Sequence, residues 1–195
     1  MKIGGDSIKV ERSLFQVGEG GAVPTSPLQL ELEVIKPQLA CEMNKKWHSR
    51  LPLIDWSNVV RNTHYVCYGA RYNGAWYAVA IWSSPVAQNR FADGKKMLEL
   101  RRLAISQDAP QNTATRMMSI MVKKIKKKFP DINRLISYQD TEVHTGTIYK
   151  ASNWEIGGES EGLSWTTLKR NRNKEQTLAR KVRWELILNV DKLKE

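Results

Sequence analysis

Apolar and polar positions alternate along Leu28 to Ile35 (LQLELEVI), the period of a strand with one face buried. Pro37 then opens a different pattern. Leu39, Ala40, Met43 and Trp47 recur at helical spacing, and a proline is tolerated in a first helical turn. His48-Ser49-Arg50-Leu51-Pro52 ends that helix. Two strand-like runs follow, His64 to Tyr72 and Ala75 to Ser84, with Asn73-Gly74 between them, a strong signal for a tight hairpin. After a polar loop containing Ala92-Asp93-Gly94, Lys96 to Ser106 (KMLELRRLAIS) reads as a further strand. Met117, Met121, Ile125 and Phe129 then recur at four-residue spacing, so a helix runs from about Asn112 to Lys128 with its lysines on the other side. Pro130 stops it. A strand at Arg134 to Tyr138, a short helix from about His144 to Ser152, and strands at Trp154 to Ile156 and Val182 to Val190 complete the series.

The predicted order is β-α-β-β-β-α-β-α-β-β. The strand–helix–strand unit over 96–138 implies a parallel pair joined by a right-handed crossover, whereas the hairpin before it is antiparallel. The expected class is therefore α/β, a mixed central sheet with helices on both faces. A chain of 195 residues suits one domain. The loop-like GEGGAVPTSP stretch sets residues 1–27 apart as an N-terminal arm, leaving 28–195 as the domain.

Charge changes this picture. The formal net charge is +11, a balance that points to a polyanionic partner. Six basic residues and no acidic ones lie between Arg116 and Lys128, and seven basic residues with one Glu between Lys169 and Arg183. Together they carry +12 (6 + 7 − 1), so the remaining chain is near neutral. Either segment alone reads as a solvated face; two on a neutral body read as parts of a binding surface. Arg50, Lys169, Arg170, Arg172, Lys174, Arg180 and Lys181 are the candidate phosphate contacts. No apolar run approaches the roughly 20 residues of a membrane span, and the N-terminus lacks the apolar core of a secretory signal. Cys41 and Cys67 sit in apolar surroundings and read as buried free thiols of an intracellular protein, with a disulfide the lesser alternative.

Several local runs point to a family. LELRRLAIS resembles the central strand of the GNAT acyltransferases, and Ile148-Tyr149-Lys150-Ala151-Ser152-Asn153-Trp154 resembles the end of their following helix, with Asn153-Trp154 in place of Gly-Phe. Ser137-Tyr138-Gln139-Asp140, His144-Thr145-Gly146-Thr147-Ile148-Tyr149, Ala151-Ser152-Asn153-Trp154 and Lys181-Val182-Arg183-Trp184 resemble, more narrowly, the Mom family of phage DNA-modification proteins. The resemblance implies a GNAT-like fold over about 28–190 and use of acetyl-CoA. It further implies conversion of adenine in double-stranded DNA to a methylcarbamoyl-type adduct in the cytoplasm of the infected host, shielding phage DNA from restriction. Its oligomeric state is left open, a dimer being one option. The rival functions are a GNAT transferase for a small amine or protein, and a non-catalytic DNA-binding protein on the same scaffold.

The resemblance also assigns residues. Leu103, Ala104, Ile105, Asn112, Thr113, Ala114 and Thr115 fall where acyl-CoA would bind, although Ala109 to Thr115 lacks the glycines of the usual pyrophosphate loop. An uncapped helix start can still hold phosphate through its unpaired N–H groups. The plain alternative is a helix capped by Asn112. Tyr149 falls where such enzymes place a proton donor near the thioester sulfur, and is otherwise a core tyrosine. Asp140, just past a strand's carboxyl end, could activate an amine; Asp140 or Thr141 could equally cap the next helix. His48 occupies the place of a histidine implicated in that family, and iron is associated with the family, making His48, Asp140 and His144 the candidate ligands. Arg101 and Arg102, adjacent on one strand, are expected on opposite faces. A few of the hairpin aromatics could stack a flipped base.

Overall fold

The computed structural model describes residues 23–47, 53–85, 96–161 and 180–188. The alternating segment begins with a short turn rather than a strand. Ser26 caps the 3-10 turn Pro27–Gln29, its hydroxyl accepting from the Leu28 N–H while Gln29 Oε1 accepts from the Ser26 N–H at 2.9 Å. Strand β1 therefore spans only Glu31–Ile35. Helix α1 (Pro37–Trp47) follows, then α2 (Trp56–Val60), a five-residue helix that the sequence pattern did not reveal. Asp55 starts it by accepting from the Ser57 N–H at 2.9 Å.

Strands β2 (Tyr65–Tyr72) and β3 (Ala75–Ser83) form the predicted hairpin, with Asn73 at φ 47° and Gly74 at φ 81°, the paired positive angles that this turn requires. The chain continues through β4 (Met97–Ile105), α3 (Thr113–Lys128), β5 (Arg134–Asp140), α4 (Thr147–Lys150), β6 (Glu155–Ser160) and β7 (Lys181–Ile187). These strands form one sheet in the order β1-β2-β3-β4-β5-β7-β6, parallel only between β4 and β5. It is the mixed α/β sheet expected.

Each face has its own core. On one, α3 and α4 cover Trp82, Leu98, Leu100, Leu135 and Trp184, with Met117, Met121 and Ile125 of α3 facing inward. On the other, α1 and α2 cover Ile35, Cys67, Val79, Ile81 and Ala104. Both cysteines are free thiols, and burial raises Cys41 to about 11 and Cys67 to about 12. No described helix is long and apolar enough to cross a membrane.

Two irregularities shape the centre of the sheet. Between β3 and β4 the register jumps from Ile81↔Arg102 to Trp82↔Leu100, so Arg101 is an extra, bulged residue. Between β4 and β5 pairing stops at Leu100↔Ser137, although β4 continues to Ile105 and β5 to Asp140. The two central strands therefore part beyond Leu100 and Ser137.

The bulge overturns one expectation. Arg101 Nη1 donates to Ser83 Oγ at 3.2 Å and its Nε lies 3.4 Å from Glu99, while Arg102 is paired with Ile81. Ser83, Glu99 and Ile81 belong to the α1 face, so both arginines lie on that face and not on opposite ones. An extra residue shifts the alternation by one, which is what cancels the usual up–down rule. Burial and the neighbouring Arg101 lower Arg102 to about 10.

Candidate functional site

The site is built around the parting of β4 and β5. On the α3–α4 side, Ser137 is 2% exposed and its hydroxyl lies 2.8 Å from the Tyr149 hydroxyl. Ser137 Oγ also donates to the carbonyl of Leu100 at 3.4 Å. The Tyr149 hydroxyl thus sits at the last paired residues, where the strands begin to diverge. Its ring is held by aromatic packing: it stacks on Trp184 with centroids 5.3 Å apart and planes 12° from parallel, and meets Trp154 at 5.7 Å. Burial pushes the phenol above the usual tyrosine range, and the Ser137 bond offsets part of that. Tyr149 is thus a core residue whose hydroxyl lies at the parting of the strands. Ser137 was not singled out in the sequence; a lone serine in SYQD carries no signal until its partners are known.

The approach to Tyr149 is fixed by a second cluster. The Trp184 indole N–H donates to Gln139 Oε1 at 2.6 Å, and the Gln139 amide donates to the carbonyl of His144. Gly146, at φ 75°, begins α4; a Cβ there would stand 2.7 Å from Gln139 Oε1 and 2.7 Å from Trp184. Gly146, not Asp140 or Thr141, is the residue before α4, which is one turn long. Asp140 Oδ1 accepts instead from the Glu142 N–H at 3.1 Å, and Thr141 Oγ1 donates to the carbonyl of Arg180 at 2.9 Å.

The other flank is the loop between β4 and α3. Past the parting, Leu103 and Ile105 pack towards the α3 side and Ala104 is buried under α1. Asn112 occupies the cap position of α3, but it adopts φ 66° and its side chain makes no capping bond. Thr113 anchors the turn instead: its N–H and Oγ1 both donate to the carbonyl of Pro110, at 3.2 and 2.6 Å. The first-turn N–H groups of Ala114 and Thr115 are left without a side-chain cap. A groove of about 470 Å³ runs beside this turn, lined by Leu28, Asn112, Thr115, Arg116, Ser119 and Lys123.

The charged candidates divide. Lys181 is cross-strand from Asp140, and Arg180 pairs with Glu159. His48, Arg50, Lys169, Arg170, Arg172 and Lys174 lie outside the described residues. The α3 lysines Lys123, Lys124, Lys126, Lys127 and Lys128 are exposed on the outer side of that helix. In β7, Val182 and Trp184 enter the α3–α4 core, so Lys181 and Arg183 project to the opposite face. The described parts of the two basic segments therefore sit on opposite sides of the sheet and do not form one surface.

Iron ligation finds no support here. Among the described residues no three His, Cys, Asp or Glu side chains converge. Asp140 has one oxygen engaged by Glu142, and its link to His144 is a backbone bond of 3.0 Å. Asp140 and His144, as placed, do not form a metal centre, and His48 lies outside the described residues.

Comparison with known proteins bears on this geometry. The model of the Mom protein family matches residues 29–191. No curated protein matches the chain. Among solved structures, an N-acetyltransferase from Staphylococcus aureus is 12% identical, with a TM-score of 0.60 over 82% of this chain and 99% of that one. The Salmonella typhimurium protein yncA, solved with its cofactor acetyl-CoA, is 7% identical, with a TM-score of 0.60 over 83% of this chain and 95% of its own. A GNAT-family acetyltransferase from Streptococcus pneumoniae is 9% identical, with a TM-score of 0.57 over 82% and 99%. The fold is that of the GNAT acetyltransferases.

Proposed function

The chain belongs to the Mom protein family, and from that premise we propose that it is an acyl-CoA-dependent transferase that modifies adenine in DNA. The observation that carries the reading is the Tyr149 hydroxyl buried at the point where β4 and β5 part. Beyond Leu100, the β5-facing edge of β4 pairs with no strand among the described residues, so backbone groups over 103–105 can pair with an extended ligand. Leu103, Ala104 and Ile105 supply that edge, and the first turn at Asn112, Thr113, Ala114 and Thr115 offers the uncapped N–H groups of Ala114 and Thr115 to a diphosphate. The bound donor would contribute an activated acyl thioester.

Tyr149 would protonate or orient the departing sulfur, and its raised pKa keeps the phenol protonated at neutral pH. Asp140, at the carboxyl end of β5, would orient or deprotonate the amine of the acceptor. That amine needs such help because its lone pair is delocalised into the adenine ring. A methylcarbamoyl-type product, which membership of the family suggests, requires a step beyond acyl transfer, and no residue is assigned to it.

Mass analysis of nucleosides from DNA co-expressed with the protein tests the reading. A modified adenine is the expected result. Acetyl-CoA binding by calorimetry with unmodified DNA would shift the reading to a small amine or protein acceptor. Absence of acetyl-CoA binding would leave a DNA-binding scaffold without transferase activity.

A further inference from the structure

We infer that Tyr138 and Arg183 form a stacking platform for one unpaired base of the acceptor strand, on the opposite side of the strand parting from Tyr149. This rests on the nucleic-acid reading above and adds the place where the acceptor base docks.

Alternation along β5 sends Ser137 and Gln139 into the α3–α4 core, so Tyr138 faces the other way. It is the first β5 residue after the last β4–β5 pair, and Arg101 is its counterpart on β4. Tyr138 is 41% exposed, unusual for a large aromatic in the middle of a sheet. Its cross-strand partner is Arg183.

Arg183 is held along its edge. Its Nε donates to Glu185 Oε1 at 2.6 Å, and its Nη2 donates to the carbonyl of Gly157 at 2.6 Å. Glu185 is itself fixed by Arg134 Nη1, 3.0 Å from its other oxygen. The bed beneath is glycine: a Cβ on Gly157 would fall inside the Glu185 carboxyl group, and one on Gly158 would stand 3.3 Å from Arg183 Nη2. This accounts for two consecutive glycines in an edge strand that would otherwise gain from β-branched residues. A guanidinium bound this way cannot swing out as a mobile point charge. It offers a flat cationic face beside an exposed ring, the surface on which bases stack. Lys181 projects from the same strand and face and can reach a flanking phosphate.

An oligonucleotide carrying 2-aminopurine in place of one adenine, with an abasic strand as its control, tests this. Wild type should quench the probe, and Tyr138→Ala and Arg183→Lys should each weaken binding of the base-bearing strand by roughly tenfold to a hundredfold. Both should leave binding of the abasic strand and its salt dependence unchanged, since Arg183→Lys keeps the charge and loses the planar group with the bonds that hold it flat. Tyr138→Phe, which keeps the ring, should bind like wild type and guards against a folding defect in the alanine variant. Equal weakening on base-bearing and abasic strands would overturn the platform, as would weakening of acetyl-CoA rather than DNA, which would give the stack to the adenine of the cofactor. If wild type binds no DNA at all, the nucleic-acid reading itself fails; if wild type binds DNA without sensing the base, only the platform does.

Discussion

Two loops leave the strand parting, one from β4 and one from β5, and each enters its helix through a left-handed residue. Before α3 that residue is Asn112, at φ 66°; before α4 it is Gly146, at φ 75°. Neither helix has a side-chain cap at that position. The backbone solution is the same, yet the reasons differ. Gly146 is buried against Gln139 and Trp184, so no larger residue fits. Asn112 is exposed, and asparagine is among the few non-glycine residues that enter this region at small cost. One loop is therefore a closed clasp packed beside Tyr149, and the other an exposed turn whose helix start has no side-chain cap. On the proposed function, the first would fix a reactive group and the second would hold an anion.

The clasp should break most severely where its packing is removed. Trp184 is 3% exposed, stacks on Tyr149 and bonds Gln139, so Trp184→Ala should cost about 3–5 kcal/mol in chemical denaturation. A cost below about 1 kcal/mol would mean that the second loop is not held by this core. A conservative substitution of the turn separates packing from backbone strain. Asparagine tolerates φ 75°, so the effect of Gly146→Asn isolates overlap with Gln139 and Trp184. A loss of about 3 kcal/mol, at the upper end of overpacking costs, is expected from the shift in melting temperature. An unchanged melting temperature would remove the claimed difference between the loops.

The clasp exists to place one hydroxyl, and Tyr149→Phe tests whether that hydroxyl matters beyond packing. The ring stack survives the change, and only the contact with Ser137 is lost. Stability should fall by about 1 kcal/mol. Adenine modification should fall about a hundredfold, equivalent to about 2.7 kcal/mol in the barrier. Full modification of co-expressed DNA would return Tyr149 to the core.

These residues also show what sequence can and cannot carry. The Asn73-Gly74 turn and the methionine spacing of α3 are local, and both appear as read. The extra residue at Arg101 has no local signature, because a bulge is defined by the partner strand; hence both arginines turned to one face against expectation. A charge count ignores which side of a sheet each residue leaves, and the described parts of the two basic segments leave opposite sides. Tyr149 and Asp140 were singled out by resemblance, whereas Ser137 emerges only from contacts 12 residues apart in the chain. At Asn112 the position was legible and the competing side-chain cap is not formed; the structure uses the residue's backbone angle.

That last case gives the smallest effect and a direct test of the open loop. Asn112→Gly removes the side chain that a capping role would need. It also relieves the left-handed angle, worth up to about 1 kcal/mol, while adding freedom to the unfolded chain that costs about as much. The two terms oppose each other, so stability should stay within about 0.5 kcal/mol of wild type by denaturant unfolding. The substitution brings a glycine into a loop that departs from the glycine-rich pattern of GNAT enzymes. It leaves the first-turn N–H groups of Ala114 and Thr115 where they are and removes bulk beside them. Acetyl-CoA should therefore bind no more weakly than to wild type in calorimetry. A loss of stability above about 1 kcal/mol would show that the Asn112 side chain holds the loop after all. Weaker acetyl-CoA binding at unchanged stability would show that the side chain itself contacts the ligand, and the open cradle would then rest on a specific amide rather than on backbone donors alone.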